Sequence, residues 1–208
     1  MKRFQEFLSE SKKEYHVSTT ILTGLSPHSH MGHVKDIGNI LSSTPSGKKI
    51  FSISNKADHF SPNERQKILK RQLEKEGHKN IEIYGSNGMG DTVRHAASYV
   101  KNKSGKKILH LVAGMDRQKI AKRLRHSILN GKIGGISPNL FHEIKIHNPQ
   151  DKNRSHGLSG TKMRLAAKND DLETYHKHLG SNFTKNEAKR IMLKTKNGIN
   201  TNKISLKR

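Results

Sequence analysis

From Thr19 onward the chain alternates two kinds of segment, and no other feature restricts its fold as much. Lys49–Ile53, Ile81–Tyr84, Ile108–Ala113 and Phe141–Ile146 are short, apolar and rich in β-branched residues, and each reads as a strand. Ile21, Leu22 and Thr23 form a further short buried strand ahead of them. Between these runs lie stretches with apolar residues at helical spacing: Val34, Ile37, Ile40 and Leu41, then Val93, Ala96, Ala97 and Val100, then Ile120, Leu124 and Ile128. A helix from Ser61 to Gly77 opens on Ser61-Pro62-Asn63-Glu64, a capping box with proline at the first helical position. Asp91 is the expected cap of the next helix. Strand and helix in regular alternation predict an α/β fold: a Rossmann-like, doubly wound parallel sheet covered on both faces, with ligands at the carboxyl ends of its strands.

A second capping box, Thr184 to Glu187, opens a last helix over roughly residues 185–196. From Asn182 to Arg208 there are eight basic residues and one acidic one, Glu187, so 181–208 reads as a basic C-terminal helical arm and tail. The whole chain carries 40 Lys and Arg against 17 Asp and Glu, a formal charge of +23. Such a field attracts DNA or another polyanion through non-specific contacts. With no cysteine, disulfide frameworks and cysteine-ligated metal sites are excluded. No apolar run approaches the ~18–20 residues of a membrane helix, so no membrane partner is expected.

Two loops carry the chemistry. In the first, the strand at Ile21 runs into Gly24-Leu25-Ser26-Pro27-His28-Ser29-His30-Met31-Gly32-His33, where a helix begins. Gly32 lets a bulky ligand approach the backbone, and a helix N-terminus favours phosphate. Paired imidazoles there can donate to phosphoryl oxygens as charge develops. His28, His30 and His33 also allow a zinc reading, although Asp36 is the only carboxylate close in sequence. The second loop, Ser159-Gly160-Thr161-Lys162-Met163-Arg164, is small and hydroxylated and again leads into a helix. Ser159 can cap that helix, and Arg164 can neutralise phosphate charge.

These residues resemble the HxGH nucleotidyltransferase superfamily. Its first signature, Gly-x-Phe-x-Pro-x-His-x-Gly-His, is answered by Gly24, Pro27, His30, Gly32 and His33, with proline one place early and Ser26 where an aromatic is common. Its second, Ser-Ser/Thr-Thr/Ser-x-x-Arg, is answered by Ser159, Gly160, Thr161 and Arg164. Arg154, Gly157, Leu158, Ser159 and Thr161 echo the cytidylyltransferase version. Gly114-Met115-Asp116-Arg117 stands where the superfamily has Gly-x-Asp, and Phe60 to Arg65 resembles its entry into the second helix. Asp116 reads equally as a helix cap, and Arg65 as a surface ion-pair partner. The likeness spans residues 19–180 and is greatest to the cytidylyltransferase-like proteins of contractile-tailed phages, which carry a similar Ser-x-Ser-Lys-Met-Arg motif.

The resemblance implies a nucleotidyltransferase domain over 15–180. Its partners would be a nucleoside triphosphate, ATP or CTP, carrying Mg²⁺, and a phosphate or phosphomonoester acceptor. It implies catalytic roles for His30, His33, Arg164 and Lys56. Nucleotide contacts would come from Gly24, Leu25, Ser26, Gly32, Gly114, Asp116, Arg117, Ser159 and Thr161, and no protein metal site is implied. Residues 1–10, with Phe4, Phe7 and Leu8 on one helical face, resemble capsid-targeting peptides of internal phage head proteins, cut after a triplet such as Leu8-Ser9-Glu10. The expected location is host cytoplasm or phage head interior, without secretion. The competing reading on the same fold is a catalytically inactive, DNA-associated internal head protein.

Overall fold

In the computed structural model the elements run β1 (Glu14–Thr20), α1 (Met31–Ser43), β2 (Gly47–Ser54), α2 (Pro62–Lys75), β3 (Ile81–Ser86), α3 (Met89–Ser98), β4 (Lys106–Val112), α4 (Gln118–Leu129), β5 (Glu143–His147), α5 (Gly160–Lys168), α6 (Leu172–Leu179) and α7 (Lys185–Asn200). The structure describes residues 13–21, 28–45, 47–56, 59–114, 117–148 and 158–201. The strands form one parallel sheet in the order β3-β2-β1-β4-β5. Chain direction across the sheet reverses after β3, which makes the fold Rossmann-like and doubly wound, with a topological switch point between β1 and β4. By internal contacts the chain divides into two interleaved units: residues 1–22, 40–52 and 80–149, and residues 23–39, 53–79 and 150–208.

In the first unit, alternation along the strands sorts side chains by face. Val17, Leu109, Leu111 and Ile144 pack with Val93, Ala96 and Ala97 of α3 and Ala121, Leu124 and Ile128 of α4. The opposite face carries His16, His110 and His147 on the adjacent strands β1, β4 and β5. Their rings are linked by His16 Nδ1 to His110 Nε2 at 3.0 Å and His110 Nδ1 to His147 Nε2 at 2.8 Å. Gly47 opens β2 at φ 156°, and a Cβ there would lie 2.1 Å from the carbonyl oxygen of His16. No side chain fits between these two backbones.

Three sequence expectations shift. The first strand occupies Glu14–Thr20, ahead of the apolar run at Ile21. Its buried hydroxyls are all usable because they are paired: Ser18 donates to Thr44 at 2.7 Å, and Thr20 accepts from the Ser52 amide at 2.8 Å. Parallel partners on both sides satisfy its backbone, so polar residues do not prevent a central strand. Asp91 is not the cap of α3. Gly88 holds that position, and the Asp91 carboxylate reaches back from the first turn to the Asn87 amide at 3.0 Å. The fifth strand starts at Glu143, with Phe141 buried just before it.

The second unit is helical. Phe60, Ile68, Met163, Ala166, Ala167, Tyr175, Leu179, Phe183, Ala188, Met192 and Ile199 form its core. Helix α7 is therefore structural as well as basic, and stays helical to Asn200. Helix α6, capped by Asp171, has no clear sequence signal because its apolar positions are few and its polar ones include three basic side chains.

Gln72 holds this unit together from α2. Its side chain is buried, donates to the Leu179 carbonyl at 2.6 Å and to the Ser29 carbonyl at 3.4 Å, and accepts from the Ser29 hydroxyl. Gln72→Leu keeps the bulk but strands these partners, each worth about 1–3 kcal/mol when left buried and unpaired. Denaturant unfolding should show a loss of about 2–3 kcal/mol. A loss below about 0.5 kcal/mol would mean that water reaches these groups.

Candidate functional site

The second unit holds most of the candidate residues. Three buried polar residues, His28, Ser29 and His30, lead into α1. The Ser29 carbonyl can only accept, so His28 donates to it through Nδ1 at 2.7 Å, and His28 Nε2 accepts from the Tyr175 hydroxyl at 2.7 Å. The Tyr175 oxygen in turn lies 2.7 Å from the Thr195 hydroxyl. Burial pushes the His28 imidazole down to about 4. With both ring nitrogens engaged inside the fold, His28 is a structural residue and has none to offer the zinc reading.

His30 takes the N-cap position of α1. Its Nδ1 accepts from the His33 amide at 3.4 Å, and its carbonyl accepts from Val34 at 3.3 Å. In the neutral ring this places the proton on Nε2, ready to donate. Burial, followed by the proximity of His33, His178, His28 and Arg164, holds the His30 imidazole down at about 2. His30 is thus a neutral donor at physiological pH. His33 lies one turn into α1, exposed, with its ring centroid 4.1 Å from that of His30.

Gly32 brings the two loops together. A Cβ at Gly32 would lie 3.1 Å from the His30 ring and 3.1 Å from the carbonyl oxygen of Leu158. The residue after Leu158 is Ser159, which caps α5 by accepting from the Lys162 amide at 3.1 Å. One turn on, Arg164 donates to Thr161 at 3.2 Å, and partial burial lowers its affinity for its proton. Two segments far apart in sequence thus adjoin, bringing imidazoles, hydroxyls and a guanidinium into one region of the unit.

His178 on α6 joins them without any sequence motif. It is 3% exposed, its Nδ1 donates to the Thr174 carbonyl at 2.8 Å, and its Nε2 has no hydrogen-bond partner among the described residues. Its charge would act on His30, which marks it as a neighbour of the motif. The only sequence cue is a histidine four residues after Thr174 at the end of a short helix.

The Lys56 side chain is exposed, and its described contacts are local: its amide donates to Ser54 and its carbonyl accepts from Arg65. Arg65 is buried and donates to the Ser54 carbonyl at 3.0 Å, which clamps the end of β2. Gly114 and Arg117 belong to the first unit, where the Arg117 amide donates to the Gly114 carbonyl at 2.9 Å after β4. Gly24, Leu25, Ser26, Pro27, Asp116, Arg154, Gly157 and residues 1–10 lie outside the described residues.

The site's groups are nitrogen and hydroxyl donors, which suit phosphoryl oxygens. Among the described residues no group of three or more His, Asp or Glu side chains is arranged to hold a metal, and no helix is long and apolar enough to cross a membrane. Comparison with protein-family models, curated proteins and solved structures returns no match.

Proposed function

We propose that the chain is a nucleotidyltransferase that moves an NMP from ATP or CTP to a phosphate or phosphomonoester acceptor. The observation that carries this reading is the contact of Gly32 with Leu158, which sets the His30–His33 pair beside the Ser159–Arg164 helix start. An anionic acceptor oxygen attacks the α-phosphorus in line, the bond from that phosphorus to the bridging oxygen breaks, and pyrophosphate leaves. The acceptor oxygen is already deprotonated, so no general base is needed, consistent with a His30 that holds protons too weakly to serve as one. Catalysis is then alignment and charge stabilisation.

His30 donates through Nε2, His33 adds a second imidazole, and Arg164 and Thr161 hold the leaving pyrophosphate, with Lys56 as an additional cation. The triphosphate enters as its Mg²⁺ complex, since the donors assembled here suit phosphate better than a bare divalent cation. The test is pyrophosphate release from each NTP with Mg²⁺ across a panel of phosphorylated acceptors. Release that requires one NTP and one acceptor is the expected result. No release from any pair would leave the second reading, a basic DNA-associated protein on the same fold, which the charge of +23 favours.

A further inference from the structure

Helices α2 and α7 of the second unit open on the same short pattern. Phe60, Ser61, Asn63 and Glu64 precede Lys67, Ile68 and Arg71, and Phe183, Thr184, Asn186 and Glu187 precede Arg190, Ile191 and Lys194. The spacing is identical, and both starts form complete capping boxes.

The structure pairs the two copies reciprocally. Arg71 of α2 binds Glu187 of α7 at 2.7 Å, and Lys194 of α7 binds Glu64 of α2. Partners that run 64 to 71 on one helix run 194 to 187 on the other, so the helices are antiparallel and related by a local two-fold axis. The phenylalanines follow the same symmetry. Arg71 lies over Phe183, 4.1 Å from its centroid, and Lys194 lies 5.2 Å from the centroid of Phe60. Between the helices is a groove of about 460 Å³ whose lining includes all four motif cations.

The two carboxylates in that lining are already committed. Each caps its own helix and pairs across the axis, and Glu187 is held down at about 2 chiefly by Arg71. Lys67 and Arg190 occupy equivalent positions, are exposed, and have no ion-pair partner among the described residues. The groove therefore presents a surplus of positive charge disposed about a two-fold axis.

We infer that the α2/α7 groove is a binding surface for the phosphate backbone of duplex nucleic acid. A duplex carries closely spaced anions on two strands related by two-fold axes, so equivalent cations can meet equivalent phosphates on opposite strands. Its lining includes none of His30, His33, Ser159, Thr161 or Arg164, and the inference does not depend on the proposed reaction.

The test uses the full chain and a mixed-sequence 20-base-pair DNA duplex, comparing Lys67→Glu/Arg190→Glu with Lys122→Glu/Arg125→Glu. The second pair changes the net charge equally but lies on exposed α4 positions of the first unit. The groove variant should lose at least tenfold in affinity and lower the salt slope by about two, with little change in the control. Lys67→Gln/Arg190→Gln serves if the reversed charges impair folding. Equal losses in both variants would reduce the effect to net charge and overturn the inference. So would an unchanged groove variant, or one that loses polyglutamate binding but keeps DNA. Pyrophosphate release by the groove variant should equal wild type, which keeps the two proposals distinguishable.

Discussion

In the proposed nucleotidyl transfer, replacing His33 with alanine is expected to lower pyrophosphate-releasing turnover by on the order of a hundredfold, the effect of removing one preorganised donor from a developing phosphoryl charge. The His33 side chain is exposed, and the helix start is held by its backbone amide, which donates to His30 Nδ1. Alanine keeps that amide and has the higher helix propensity, so thermal unfolding should be unchanged. The expected pattern is a fall in kcat and kcat/KM together, because the interaction belongs to the transition state. Wild-type turnover would remove His33 from the mechanism. His30→Ala is less informative, since it takes away the cap as well as the donor.

Mild acid should destabilise the protein strongly. His28 and His30 are buried and neutral, held down at about 4 and about 2 from an ordinary 6.5. In the unfolded chain both protonate as pH falls through about 6.5, whereas the folded state resists. Stability is therefore complete above about 6.5 and lost progressively toward the lower folded values, at about 1.4 kcal/mol per pH unit for each histidine. His110, pushed down to about 4 by burial and by His147 and His16, acts in the same direction. Denaturant midpoints measured from pH 7 to pH 4.5 should fall steadily. His28→Gln, which can still donate to Ser29 and accept from Tyr175, should remove about one proton from that slope. A flat profile in wild type would mean that these rings are solvated and charged in the folded protein.

The two capping boxes show what local chemistry can fix in advance. Ser61–Glu64 and Thr184–Glu187 start α2 and α7 where the sequence places them, because a cap is satisfied by residues three positions away. Strand–helix alternation likewise determined the doubly wound parallel sheet, since runs of that length and period bury well only in such layers. The candidate loops were legible for the same reason: histidine, glycine and hydroxyl residues stand at a helix start and need no distant partner to be seen.

What failed to show was whatever depends on distant neighbours. β1 is polar in sequence and became a strand because Thr44 and Ser52 meet its hydroxyls. His28 looks like a ligand and is engaged by Tyr175, and His178 looks incidental and lies near His30. Likewise, the repeated Phe-to-Glu pattern acquires meaning only when Arg71 reaches Glu187 and Lys194 reaches Glu64. Periodicity, caps and charge act within a few residues and are legible along the chain. Which buried polar groups pair is settled by the tertiary structure, because a hydrogen bond depends on ångström-scale placement between segments that sequence spacing does not encode.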